Sequence, residues 1–523
     1  MGRMSPAGGP KGELRHAQNE GTPVSVIYVR PLAARVVLAL AVASTLHTPA
    51  TAAEARSGLT PCRIAGVEHG ALCGSLRRAL NSAEPDGTVI DVHFAVLPAL
   101  ARNRKPDPVF FFAGGPGQSA LELAGSVSRL LSRLGTRRDL VLIDQRGTGQ
   151  SAPLRCEVAS PNTPLSEGAD PARQVQRYRQ CLQQLQALPH GDLRHYTTWV
   201  AMQDVDAVRQ ALGAERINLL GGSYGTRAVL EYLRQFPHAS RRAVLDGVAP
   251  PDMVLPASIS ADSQAALDAV FTACESETAC GARFPTLRAD WKLLLGSLPR
   301  EFAVAHPLTG VIERLTLGHD ALLSMVRAPL YVPALASAVP AALHEAAAGR
   351  LEPLAALAAS MGSGGGRRSG QLYEGMHFSV VCSEDMPRLG QNTEQPGVDF
   401  GRGFAQQYSR VCSGWPQGPV PAAFYSLPPA RHATLVLSGG ADPATPPRHG
   451  QRVAQALGVM ARHQVVVQAG HGVMSLPCMR DVLHRFIDAD TDAEALQVDT
   501  TCAARVPRPP AHISIRAAAG RTP

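Results

Sequence analysis

The stretch Ile217-Asn-Leu-Leu-Gly221-Gly-Ser223-Tyr-Gly225-Thr-Arg-Ala-Val-Leu-Glu-Tyr-Leu-Arg234 decides the fold. It opens with a short apolar run of strand type and closes with a helical run, with a G-x-S-x-G between them. A turn from strand into helix this sharp excludes side chains on either side of the serine, hence Gly221 and Gly225, and it lifts the Ser223 hydroxyl above the carboxyl end of the sheet. A five-residue match arises by chance; one set between strand and helix points to a nucleophile.

Outward from this turn, β-rich apolar runs alternate with helical segments from about residue 88. The strands read as Val89–Ala95, Val109–Phe112, Leu140–Ile143, Ile217–Leu220, Ala243–Leu245, Thr434–Leu437 and Gln464–Val467. Runs apolar at nearly every position suit strands buried on both faces, so the fold class is α/β, a mostly parallel sheet flanked by helices. Between Leu245 and Thr434 the rhythm stops, and helical stretches such as Ala265–Phe271 and Ala334–Ala348 predict an inserted, mainly helical cap domain. The expected organisation is an export signal over 1–53, core over 54–250, cap over 251–430, core again over 431–502, and a disordered tail over 503–523.

A serine hydroxyl needs a neighbouring base, itself oriented by a carboxylate. Leu435-Val-Leu-Ser-Gly-Gly-Ala-Asp442 puts an acid after one strand, and Val465-Val-Val-Gln-Ala-Gly-His471 puts a histidine after the next. Ser223, Asp442 and His471 therefore form the predicted catalytic triad, all at strand ends on one side of the sheet. The oxyanion that develops during acyl transfer also needs fixed donors. The loop Ala113-Gly-Gly-Pro-Gly-Gln-Ser119 supplies the Gly115 N–H, with Gly114 as the alternative, and the Tyr224 N–H completes the pair. Asp144 and Arg146, in Asp144-Gln-Arg-Gly-Thr-Gly-Gln-Ser151, are expected to pin the loop after their strand rather than react.

Arg30-Pro-Leu-Ala-Ala-Arg35 followed by the apolar run Val36–Leu46 and the small residues before Ala53 has the form of a signal peptide with a long n-region. The ten cysteines agree with an oxidising destination. Taken in chain order they suggest five short-loop disulfides, 62–73, 156–181, 274–280, 382–412 and 478–502, and none has the paired spacing of a zinc site. The formal charge of +7 first suggests a nucleic-acid partner. Residues 1–53 carry five Lys/Arg against two Glu and residues 503–523 carry four Arg and no acid, so residues 54–502 are neutral and that suggestion loses its support.

The set Gly114-Gly-Pro-Gly117, Asp144–Ser151, Gly221-Gly-Ser-Tyr-Gly225, Gly439-Gly-Ala-Asp442 and Gly470-His-Gly472 resembles the proline iminopeptidase and tripeptidyl aminopeptidase group of α/β-hydrolases, over about residues 60–502. The last cysteine pair resembles the C-terminal region of the tripeptidyl aminopeptidases. Family members often place His before the Gly-Gly-Pro-Gly; this chain has Ala113, a departure that bears on the loop's support rather than on its chemistry. The resemblance implies the α/β-hydrolase fold and a cofactor-free, metal-free serine exopeptidase acting on small peptide substrates with free N-termini. Such an enzyme must pair an ammonium group, and Glu384 and Asp385 are the acids expected to do so from the cap. The expectation is an exported enzyme, periplasmic or secreted, with no nucleic-acid partner and no stable membrane partner unless the signal stays uncleaved. A carboxylesterase acting on small acyl esters is the alternative reading of the same triad, and a non-catalytic binding module on this fold is a more distant one.

Overall fold

The central strands of the sheet are buried along nearly their whole length. In the computed structural model, which describes residues 58–157, 162–306, 308–363 and 372–513, eleven strands occur. They are β1 (Thr60–Cys62), β2 (Ala71–Ala79), β3 (Val89–Leu97), β4 (Val109–Phe112), β5 (Leu140–Ile143), β6 (Ile217–Gly222), β7 (Ser240–Asp246), β8 (Arg300–Ala305), β9 (Ile312–Leu317), β10 (Thr434–Gly439) and β11 (Ala461–Val466). Nine form one sheet in the order β1-β2-β3-β5-β4-β6-β7-β10-β11, antiparallel up to the β3–β5 pair and parallel beyond it. Successive residues of the central strands enter different cores: Val141, Leu219, Leu245 and Val436 pack on one face, Leu142, Leu220, Val244 and Leu437 on the other. That two-sided burial is why these strands read as unbroken apolar runs.

The register aligns the carboxyl ends of the strands. Phe112 lies opposite Gly221, Gly222 opposite Asp246, and Asp246 opposite Leu437. The loops after β4, β6, β7 and β10 therefore leave the sheet along one edge, where crevices form in open α/β sheets.

The insertion is less uniform than its sequence predicts. Residues from Ala266 to Leu354 hold a core of their own around Phe271, Trp291, Val326 and Leu343. That core includes the antiparallel hairpin β8–β9, whose alternating side chains (Phe302, Val304, Leu315 and Leu317 inward) were hidden between two helical stretches. Phe378, Val380, Val411 and Trp415 instead join the core of the sheet itself, so the second half of the expected cap is packed as part of the hydrolase body. β2, with only alternate apolar positions, was likewise not expected as a strand.

All five neighbouring cysteine pairs are joined as the spacing suggested. The expected disordered tail needs correction over 503–513. The Arg508 guanidinium donates to the Ala269 carbonyl, the Ala511 N–H to the Glu277 carboxylate, and the His512 N–H to the Ser337 carbonyl, so a segment without apolar period is held by hydrogen bonds to the cap. The expected export signal and residues 514–523 lie outside the described residues. Among the described residues no helix is long and apolar enough to cross a membrane.

Arg146 is expected from the sequence to brace the loop after β5, and it does so from full burial. Its guanidinium forms a fork with Asp204 at 2.7 and 3.0 Å and donates to the carbonyls of Leu80 and His195. Removing one partner of such a pair strands a charge in a medium of low dielectric. Asp204→Ala is expected to cost about 3–5 kcal/mol in urea unfolding, whereas Arg173→Ala, at a largely exposed ion pair, should change stability by less than about 0.5 kcal/mol.

Candidate active site

Ser223 ends β6 with φ 56° and ψ −125°, an unusual conformation for a residue with a side chain. It persists because the surroundings fix it: the Ser223 N–H donates to the Asp246 carbonyl at 2.8 Å, and the Ser223 carbonyl accepts from both the N–H and the hydroxyl of Thr226. A Cβ on Gly225 would lie 2.2 Å from the Phe112 carbonyl oxygen, and one on Gly221 2.4 Å from that of Gly225. Both are backbone collisions, which gives the two glycines of the motif their physical reason.

The loops after β10 and β11 bring Asp442 and His471 together. His471 Nδ1 donates to Asp442 Oδ2 at 2.8 Å, leaving Nε2 as the basic nitrogen. Asp442 is buried and further held by the N–H groups of Ala444 and Thr445 and by the Thr445 hydroxyl. Burial pushes the His471 imidazole down, but the Asp442 charge and hydrogen bond outweigh it, and its pKa lies above the usual 6.5. Burial likewise pushes Asp442 up, and His471 with the backbone donors brings it below the usual carboxylate range. A Cβ on Gly247 would lie 3.3 Å from His471 Cε1, and the Asp246 carbonyl just before it holds the Ser223 N–H. The imidazole therefore stands beside the serine turn.

Asp246 was missed in the sequence, where β7 was read to stop at Leu245. Its carboxylate accepts the N–H groups of Val473 and Met474, two and three residues after His471. Full burial raises its pKa to about 6, against the lowering effect of those two donors.

The Gly115 loop leaves β4 and lies against the serine: a Cβ on Gly114 would sit 3.2 Å from Ser223 Cβ. Gly115 and Gly117 adopt φ of 111° and 103°, and the Gly115–Pro116 peptide is cis. Asp144 accepts the N–H of Gln150 in the loop after its own strand, as expected, and also the Ser119 hydroxyl and the N–H of Leu121, which braces the end of the Gly115 loop as well. A second brace was not expected. His377, from the helix Glu374–Glu384, donates Nδ1–H to the Pro116 carbonyl at 3.1 Å and accepts the Tyr408 hydroxyl at Nε2. Burial pushes the His377 imidazole below its usual range, which favours this neutral, doubly bonded form. Tyr224 opens the helix Tyr224–Gln235, where N–H groups lack partners within the helix.

Glu384 and Asp385 are closed off from solvent, and the expected ammonium-binding role needs correction. They are 1% and 0% exposed, and both ion-pair with Arg227. Glu384 also accepts the N–H and hydroxyl of Thr198, and Asp385 the N–H of Leu255. Burial raises Glu384 to about 7 despite the opposing Arg227 charge. The neighbouring Cys382–Cys412 disulfide, which suggested a held acidic pair, ties their helix into the sheet's core rather than into a cleft. Among the described residues no group of three His, Cys, Asp or Glu side chains is gathered as a metal site requires.

Comparison with known proteins agrees with the fold. Residues 107–268 match the family model for the alpha/beta hydrolase fold, and residues 397–502 that for TAP-like protein. The chain is 27% identical over 439 residues to the serine protease Hip1 of Mycobacterium tuberculosis, covering 76% of this chain and 82% of that one. It is 30% identical over 190 residues to the tripeptidyl aminopeptidase of Streptomyces lividans, covering 34% and 35%. With a proline iminopeptidase of Xylella fastidiosa it shares 35% identity over 143 residues, covering 27% and 32%. The chain has the α/β-hydrolase fold. By homology it falls with serine hydrolases and peptidases, and its match to the TAP-like model begins inside the segment first read as cap.

Because Glu384 anchors Arg227 and Thr198, Glu384→Ala is expected to lower stability by about 3 kcal/mol or more in thermal or urea unfolding. The ratio of rates on free and N-blocked peptides should stay unchanged, and a lost preference for free N-termini would restore the role first assigned to it.

Proposed function

We propose that the protein is an exported serine peptidase that removes residues or short peptides from free peptide N-termini through Ser223, His471 and Asp442. The observation that carries this reading is the 2.8 Å Asp442–His471 hydrogen bond standing beside the constrained Ser223 turn. His471 Nε2 takes the Ser223 proton as Oγ attacks the scissile carbonyl, and Asp442 stabilises the resulting imidazolium. The carbonyl oxygen, now anionic, is held by the N–H groups of Gly115 and Tyr224. The imidazolium then protonates the departing amine as the C–N bond breaks, leaving an acyl-serine. His471 next deprotonates a water molecule, whose attack releases the acid and returns the proton to Ser223.

A peptide rather than an ester is supported by the relatives, which are named as a protease and aminopeptidases. Export is supported by five disulfides, which persist in oxidising compartments.

The test is turnover of tripeptidyl and amino-acyl amides, their N-blocked forms and a short acyl ester. Free-amine peptides should be the preferred substrates, and turnover of the ester alone would contradict the peptidase. Ser223→Ala should lower kcat by about 10⁶ and Asp442→Asn by about 10⁴. The base must be neutral in the free enzyme, so kcat/KM should fall as pH drops through the His471 pKa, above 6.5 in the wild type. Asp442→Asn removes the charge that raises that pKa, and the acid limb should move to lower pH.

A further inference from the structure

Arg327 stands in the insertion one aromatic ring away from His471. It lies on the helix His319–Leu330, followed by Tyr331. The Tyr331 ring meets the His471 ring edge-on with centroids 5.2 Å apart, and the Tyr331 carbonyl accepts the His471 N–H at 3.0 Å. The Arg327 guanidinium lies over that same tyrosine ring and donates to its hydroxyl and to the Ser263 hydroxyl. Ser263 in turn donates to the carbonyl of Pro443, next to Asp442.

The partners of Arg327 are thus neutral, whereas the buried guanidinium groups of Arg146 and Arg227 meet carboxylates. Among the described residues no carboxylate lies within ion-pair distance of it. Two acids of the surrounding frame are already engaged, Asp442 by His471 and Asp262 by Arg448 and His449. This arrangement works against the chemistry described above. A positive charge near His471 lowers its affinity for a proton, and the imidazole must become a cation during attack. An anion bound to Arg327 during turnover would remove that opposition.

Arg327 is partly exposed, so a ligand can reach it. Its helix also lines a cavity of about 800 Å³ through Asp320, Ser324 and Met325, together with Tyr178 and Gln407, although Arg327 itself is not part of that lining. Phe404, one turn before Gln407, packs within cation–π distance of Arg327.

We propose that Arg327 binds a carboxylate of the substrate close to the scissile bond, contributed by an acidic side chain or by the peptide's own C-terminus. The planar guanidinium fork suits a carboxylate, and hydrogen bonds to charged groups are stronger than neutral ones. This rests on the serine peptidase proposed above and adds its preference for an anionic substrate.

The test uses short free-amine peptides in two matched arms: Glu against Gln at each position flanking the cleaved bond, and a C-terminal carboxylate against a carboxamide. The wild type should favour the carboxylate member of one arm by about tenfold or more in kcat/KM, and that arm identifies the source. Arg327→Gln should bring the ratio close to one, and Arg327→Lys should retain part of it. Equal rates in both arms for the wild type would overturn the proposal, as would a preference that survives in a folded Arg327→Gln. The wild-type ratios decide the matter alone if the variants do not fold. Cleavage of the peptides without preference removes this inference only, whereas absence of any peptide cleavage removes the peptidase and this inference together.

Discussion

Asp246 joins the two halves of the site. Its carbonyl holds the N–H of Ser223, its carboxylate holds the N–H groups of Val473 and Met474 in the turn after His471, and Gly247 after it leaves room for the imidazole. One residue at the end of β7 thus sets the serine turn and the histidine loop relative to each other. It can do so because β7 lies between β6 and β10 in a parallel register, with Gly222 and Leu437 opposite Asp246. Burying a carboxylate there has a cost, visible in its raised pKa, and the two backbone donors offset part of it. The positioned site comes at the expense of local stability, as functional sites commonly do.

The insertion contributes to this positioning as well as covering the sheet. Tyr331 accepts the backbone N–H of His471, and His377 with Tyr408 holds the carbonyl of Pro116 in the loop next to Ser223. The segment around His377 packs on the sheet's own core, which anchors its hold on that loop. With Asp144 bracing the end of the same loop, the Gly115 segment is positioned before any substrate arrives. Such preorganisation is what allows backbone N–H groups to stabilise charge without rearranging.

Much of this could be read in the residues, and the parts that could not have a common cause. Ser223 and Asp442 stand out because each follows a strand buried on both faces, His471 because it follows the apolar run Val465–Val467 at the sheet's edge, and Gly221 and Gly225 because backbone atoms occupy the places of their side chains. The five disulfides were legible because each closes a short loop. Glu384 and Asp385 were misplaced because a local Cys-Ser-Glu-Asp run carries no sign of Arg227, some 157 residues away in sequence. Asp246 and His377 were missed for the same reason: their partners are distant in the chain. Local pattern identifies what a strand end presents, whereas burial and pairing across the fold decide which charged groups remain free to act.

The central claim is that Ser223 is the single nucleophile and that His471 activates it. The most direct measurement is labelling with a fluorophosphonate, followed by peptide mass spectrometry and by the rate of labelling in His471→Ala. One adduct per chain on Ser223, formed much more slowly in the His471 variant, is the expected result. An adduct on another residue, or labelling of Ser223 at an undiminished rate without His471, would contradict it.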